Sequence, residues 1–179
     1  SRSERIDALD LGTGTGAIAL GLAAADPRVW VDAVESSTDA LRYASQNALA
    51  HPAGSRVRLV PMDYMRDSWS ERLKPTYHLI LANPPYVSAG DWEALPAEVQ
   101  REPRAALVGG PTGDEILRWI IEHASKHLVP GGTMILEIGI GQTEPLTRFA
   151  ESLSGLQRAK ITPDHQAIPR ILTLRRIPT

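Results

Sequence analysis

At 179 residues the chain has the length of one domain, expected to span residues 1–179, and enough material to bury most of its apolar surface. An apolar share of 42% and a charged share of 22% are those of an ordinary globular protein and exclude a disordered or fibrous one. A net charge of −2 argues against strong nucleic-acid binding while leaving room for a local basic patch, and the absence of cysteine excludes disulfides and thiolate metal sites.

No run of eighteen apolar residues and no charged-then-apolar leader occurs, so no membrane association is expected and a cytoplasmic location is the simplest fit. Short aliphatic or β-branched runs alternate with longer amphipathic stretches, which is a βαβα pattern. Ile6 to Leu11 reads as a strand, Thr15 to Ala25 as a helix, Val29 to Glu35 as a second strand and Thr38 to Ala50 as a second helix. Arg56 to Pro61 and Tyr77 to Ala82 follow as strands, Thr112 to Leu128 as a helix, Thr133 to Ile138 as a fifth strand and Gln142 to Ser152 as a helix. Arg158 to Thr162 and Arg170 to Arg176 predict two more strands joined by a turn at Pro163 and Asp164.

The pattern predicts an α/β fold: a doubly wound, mostly parallel, seven-stranded sheet of Rossmann-like type with one antiparallel strand near the C-terminus. Its ligand crevice is expected at the carboxyl ends of the strands. The stretch from Val87 to Pro111 is long and rich in Pro and Gly, the kind of loop that carries function or moves.

The segment DLGTGTGAIAL, Asp10 to Leu20, ends the first strand and opens a helix, where a nucleotide-type ligand meets backbone amides and a helix N-terminus. Gly12, Gly14 and Gly16, with Thr13 and Thr15 between them, allow a tight turn and close approach of a ligand. Glu35 ends the second strand about twenty residues on, where a carboxylate accepts both hydroxyls of a ribose. Gly12, Gly14 and Ala17 also satisfy G-x-G-x-x-A, so this segment alone does not separate a nicotinamide dinucleotide from S-adenosylmethionine. Asp63 and Tyr64, at the end of the third strand, are placed to accept from an adenine amino group and to cover its ring; a polar turn with a half-buried aromatic accounts for them equally.

The fourth strand breaks off at Asn83-Pro84-Pro85-Tyr86. Proline fixes φ, lacks an N–H and pushes the residue before it toward an extended conformation, so this is a stiff hook. It offers acceptors: the Asn83 side-chain oxygen and the Pro84 carbonyl each take one hydrogen of a planar –NH₂ group, with Tyr86 behind its plane. That arrangement suits methyl transfer to an amide or a base nitrogen, since it positions a poor nucleophile in line with a sulfonium methyl and needs no dedicated general base.

These motifs, followed by Glu102-Pro103, Ala106 to Gly110 (ALVGG) and Leu136 to Gly139 (LEIG), resemble those of the release-factor glutamine methyltransferases over essentially the whole chain. The resemblance implies a class I methyltransferase domain that converts S-adenosylmethionine to S-adenosylhomocysteine. It further implies Gly12 to Gly16, Glu35, Tyr64 and Asn83 in donor binding, and Asn83 to Tyr86 around the substrate glutamine. The implied protein partner is the Gly-Gly-Gln loop of bacterial peptide chain release factors. Asn-Pro-Pro-Tyr is shared with enzymes that methylate amino groups of nucleic-acid bases, which makes such an enzyme the alternative; a non-catalytic ribose-ligand module is another. The chain departs from the family at GGPTGDEIL, where Thr112 and Asp114 stand at positions usually Asp and Leu; Thr112 is then expected to cap the helix. The family's N-terminal helical domain is not recognised, so the chain reads as a catalytic half. No metal site is expected: His123 and His127 are four apart on a helix but lack a third ligand in register.

Overall fold

The computed structural model describes residues 4–178. Among the described residues nine strands and five α-helices form in chain order, and seven of the strands make one sheet in the order β3-β2-β1-β4-β7-β9-β8. The residues group into two units, one ending at Ala82 and taking in His127–Gly132, the other formed by the rest.

The first unit is built from β1 (Ile6–Leu11), α1 (Ala17–Ala25), β2 (Val29–Glu35), α2 (Thr38–Ala50), β3 (Val57–Pro61), the short α3 (Trp69–Arg72) and β4 (Tyr77–Ala82). All four strands are parallel, with Ala8 opposite both Val31 and Leu79, and Val31 opposite Val57. Small residues set the helix-to-sheet distance: Ala19 and Ala23, one turn apart on α1, are fully buried with Ala8 and Ala33 of the sheet. Helix α2 starts where Ser37 accepts from the Ala40 amide at 3.3 Å, an N-cap with Asp39 adding a favourable charge in the first turn.

The second unit follows Asn83. It contains β5 (Val87–Ser88), β6 (Val108–Gly110), α4 (Glu115–Ala124), β7 (Leu128–Glu137, whose first five residues belong to the first unit), α5 (Thr143–Ser152), β8 (Leu156–Pro163) and β9 (Pro169–Arg176). Strand β9 runs antiparallel to β7 and to β8, with Leu172 opposite both Leu136 and Ile161, so the expected terminal hairpin inserts one antiparallel strand. Helix α4 buries Leu117, Ile120, Ile121 and Ala124, an i, i+3, i+4, i+7 stripe.

Two expectations are corrected. Strand β7 begins at Leu128 and not at Thr133, running through Pro130-Gly131-Gly132, and α4 begins at Glu115 and not at Thr112. Thr112 does not cap α4, because Gly113 at φ +87° sits between it and the helix; Glu115 instead reaches back to accept from the Thr112 and Gly113 amides at 2.8 and 2.9 Å. The stretch from Val87 to Pro111 is also more ordered than a plain loop. Its ends pair as β5 and β6, and three 3₁₀ turns, Trp92–Ala94, Val99–Arg101 and Arg104–Ala106, fill the middle.

Candidate active site

In the first unit the carboxyl end of β1 passes into a turn in which Gly12, Gly14 and Gly16 all have positive φ, at 72°, 56° and 83°. Side chains at those three positions would be strained, which explains the G-x-G-x-G spacing. The turn is internally bonded. The Gly12 and Thr13 amides both donate to the Val34 carbonyl at 2.9 Å, Gly16 donates to the Thr13 carbonyl at 2.9 Å, and Gly14 donates to Glu35 Oε2 at 2.9 Å. Asn47 of α2 fixes the far side by donating to the Thr15 carbonyl at 2.9 Å.

Glu35 is the hub. Its Oε1 accepts from the Ser36 and Ser37 amides at 2.9 and 2.8 Å while Oε2 holds Gly14. Each carboxylate oxygen has two lone-pair directions, so capacity for a ligand hydroxyl remains. A dinucleotide pyrophosphate needs free amides at such a turn, and four are already spent on protein acceptors. A ligand without phosphate, held by a ribose hydroxyl at Glu35 Oε2 and by close backbone approach, fits these residues better. S-adenosylmethionine is such a ligand, and no atom lies within 4 Å of where a Gly14 Cβ would stand.

Asp10 lies under the turn, 1% exposed. Its Oδ2 accepts from Thr13 Oγ1 at 2.6 Å, and its Oδ1 has no hydrogen-bond partner among the described residues. Burial pushes the Asp10 carboxyl up to about 6, with the Glu35 charge adding to the rise and the Thr13 bond and Ala19 amide opposing it. Tyr64 stands 4.0 Å from the Cβ position of Gly12, and burial, then the charges of Asp63 and Glu35, push its hydroxyl up to about 12. Asp63 is occupied in its own turn, accepting from the Met65 amide at 3.0 Å and pairing with Arg66 at 3.5 Å.

Ala82, opposite Leu11 in the sheet, is the last residue of β4, and Asn83 follows it in the chain. In the second unit the hook is pinned at its tyrosine. Gln142 Nε2 donates to the Tyr86 carbonyl at 3.0 Å, and its Oε1 accepts from the Gly139 amide at 2.8 Å. The Tyr86 hydroxyl donates to Glu137 Oε1 at 3.1 Å, and burial together with Glu137 raises its pKa. Behind the hook, a Cβ on Gly109 would run into the Pro85 carbonyl, and one on Gly113 would stand 2.6 Å from the Tyr86 carbonyl. Asn83 is exposed and Pro84 buried; among the described residues neither the Asn83 side-chain oxygen nor the Pro84 carbonyl accepts a hydrogen bond. Beside Tyr86 opens a cleft of about 750 Å³ with apolar walls at Leu95, Val99, Leu107 and Ile140.

Gln142 and Gly113 are not readable as site residues, since both act at the Tyr86 carbonyl far away in the chain, and Glu115 reads only as a charge in a first helical turn although it accepts from the Thr112 and Gly113 amides. Glu137 and Gly109 lie within the quoted LEIG and ALVGG motifs, and the structure supplies their physical reason. His123 and His127 do not form a pair: His123 stacks on Trp119 with ring centroids 4.3 Å apart, while His127 meets the Pro75 carbonyl at 3.0 Å.

The model of the methyltransferase small domain matches residues 2–140. The chain is 37% identical over 156 residues to a release factor glutamine methyltransferase of Moorella thermoacetica, covering 87% of this chain and 54% of that one. It is 41% identical over 133 residues to a ribosomal protein uL3 glutamine methyltransferase of Neisseria meningitidis, covering 74% and 42%. It spans about half the length of the curated relatives it matches. A methyltransferase crystal structure from Pyrococcus furiosus superimposes with a TM-score of 0.71 at 22% identity, covering 97% of this chain and 76% of that one, which extends the likeness of fold. The glycine turn with its acidic partner, the Asn-Pro-Pro-Tyr hook and the family match together establish that this chain belongs to the methyltransferase small-domain family.

Proposed function

We propose that the chain is the catalytic part of a protein-glutamine N-methyltransferase, taking its methyl group from S-adenosylmethionine and delivering it to the Gly-Gly-Gln glutamine of a bacterial release factor. The single observation that carries this reading is the division of labour within the hook. Tyr86 is pinned at both its carbonyl and its hydroxyl, while the two acceptors needed for an –NH₂ group, Asn83 Oδ1 and the Pro84 carbonyl, have no protein donor among the described residues.

The donor supplies an electrophilic methyl on a sulfonium and leaves as a neutral thioether. Asn83 and Pro84 hold the two amide hydrogens, which orients the nitrogen for in-line attack and stabilises the positive charge that develops on it. The nitrogen–carbon bond forms as the carbon–sulfur pair returns to sulfur. One N–H proton then departs to solvent, giving N-methylglutamine and S-adenosylhomocysteine. Glu35 holds the donor ribose, and Tyr64 covers its base. The action is cytoplasmic and uses no metal.

The release factor is chosen over ribosomal protein uL3 because the motifs Glu102-Pro103 and Ala106 to Gly110 resemble the release-factor group. The test offers methyl-labelled donor and the full-length enzyme to four substrates: a release factor, the same factor with its glutamine replaced, protein uL3, and bulk RNA. Label on the first alone supports the proposal. Label on uL3 or on RNA in preference to the release factor overturns the substrate assignment.

A further inference from the structure

A second constellation lies in the first unit at the opposite edge of the sheet, where β1, β2 and β3 begin. A cleft of about 250 Å³ is lined there by Arg5, Trp30, Asp32, Arg56, Arg58 and Lys74. Strands of six residues at about 3.3 Å per residue put it roughly 20 Å from the glycine turn, so it is no part of the donor site.

The charges in this cleft are layered. Two carboxylates serve three of its four cations: Asp32 takes both Nε and a terminal nitrogen of Arg58 at 2.8 and 2.9 Å, and Asp7 pairs with Arg5 and with Lys74. The carboxylates lie underneath, with side chains 5% and 23% exposed, whereas those of Arg58 and Arg5 are 55% and 51% exposed. Asp32 is also held from within, accepting from the Tyr77 hydroxyl at 2.6 Å. The outer face of the cleft is therefore cationic in a chain whose net charge is −2.

Arg56 adds an unmet demand. It has no carboxylate partner among the described residues; one terminal nitrogen donates to the Ala23 carbonyl, and its Nε, buried, donates to nothing. A buried guanidinium without a counter-charge is costly, and an anion held by the exposed arginines beside it offsets that charge without reaching the buried Nε. The Arg5 guanidinium stacks over the Trp30 ring at 4.4 Å, which holds its planar donors in a fixed direction.

We propose that this cleft binds a phosphate group, with the exposed Arg5 and Arg58 as its donors and the charge of Arg56 beside them. Phosphate matches the fork geometry of arginine better than a halide does, and its charge balances the two-cation excess. The phosphate belongs either to a polynucleotide backbone or to a free phosphate, sources that the experiment separates.

The test titrates ¹⁵N-labelled protein with inorganic phosphate at constant ionic strength, reading the Arg56 Nε–H and Trp30 indole N–H signals by NMR. Saturable shifts of both are expected. Followed at Trp30, Arg56→Gln should weaken phosphate binding at least tenfold, and Arg158→Gln, which alters an arginine outside the cleft, should leave it unchanged. Arg5→Gln, at a half-exposed position, provides the same readout if Arg56→Gln does not fold. An eight-nucleotide RNA that moves the same signals and is displaced by phosphate identifies a polynucleotide as the source; phosphate saturating where RNA moves nothing identifies a free anion. Shifts that never saturate, or saturable shifts indifferent to both substitutions, overturn the proposal.

Discussion

Gly109 of β6 backs directly onto the carbonyl of Pro85, so that the Asn-Pro-Pro-Tyr hook is braced by a backbone where any side chain would intrude. The second proline of the hook is thus held by main chain from a segment more than twenty residues away.

Gly109→Ala should displace the hook. Overpacking against backbone costs about 1–3 kcal/mol, so the melting temperature should fall by several degrees and methyl transfer should fall further than the fraction folded. Thermal unfolding and single-turnover rates measured on the same sample check this. Wild-type turnover in a destabilised but folded variant would show that the brace does not position the chemistry.

Asn83→Ala separates positioning from binding. Loss of one aimed acceptor costs on the order of a hundredfold in rate, so kcat should drop by about that factor while KM for the release factor moves little. Donor affinity, measured separately by calorimetry, is the control. Near-normal kcat at saturating substrates would reduce the hook to a turn.

Glu35→Ala should weaken the donor by about 1.5–3 kcal/mol, the range for a hydrogen bond to a charged group. The same change strips the Gly14, Ser36 and Ser37 amides of their acceptor. Hydrogen exchange at those three amides should accelerate together, and unaltered exchange would contradict the bonding described here.

Asp10 gives a pH dependence of definite sign. Its folded-state pKa, raised to about 6, lies above the ordinary 3.8, so the folded protein binds a proton more readily than the unfolded chain does. Stability is therefore highest, for this group, below the unfolded value and falls as pH rises from about 4 to 6; above that the buried charge costs a constant amount, on the order of 3 kcal/mol. Asp10→Asn should flatten this part of the stability profile, as measured by urea unfolding at pH 4, 5, 6 and 7. A wild-type profile without any downward contribution removed by the substitution would refute the assignment.

Strands β1, β2 and β4 and helix α2 were legible to the residue, because each is an apolar or amphipathic run with a sharp polar or glycine boundary. The parallel order and the single antiparallel strand followed from alternation and the terminal turn. The start of β7 was hidden because Pro130-Gly131-Gly132 has the composition of a turn, yet the strand continues through it beside β4, where Gly132 comes close to the His78 carbonyl. The sequence pattern starts helix α4 three residues early because Thr112 looks like a cap, and only the structure shows Gly113 outside the helix at φ +87°, where a side chain would strike the Tyr86 carbonyl. The glycine turn, Glu35 and the hook are readable in the sequence as a candidate site. What secures the hook is not, since Gln142 acts on a carbonyl 56 positions earlier in the chain and no local pattern announces it.

The bonding of Glu35 has an energetic meaning. That carboxylate ties the glycine turn to the start of α2 through three backbone amides. Under the proposed function the same bonds hold the donor-facing backbone, which lowers the ordering entropy charged against affinity.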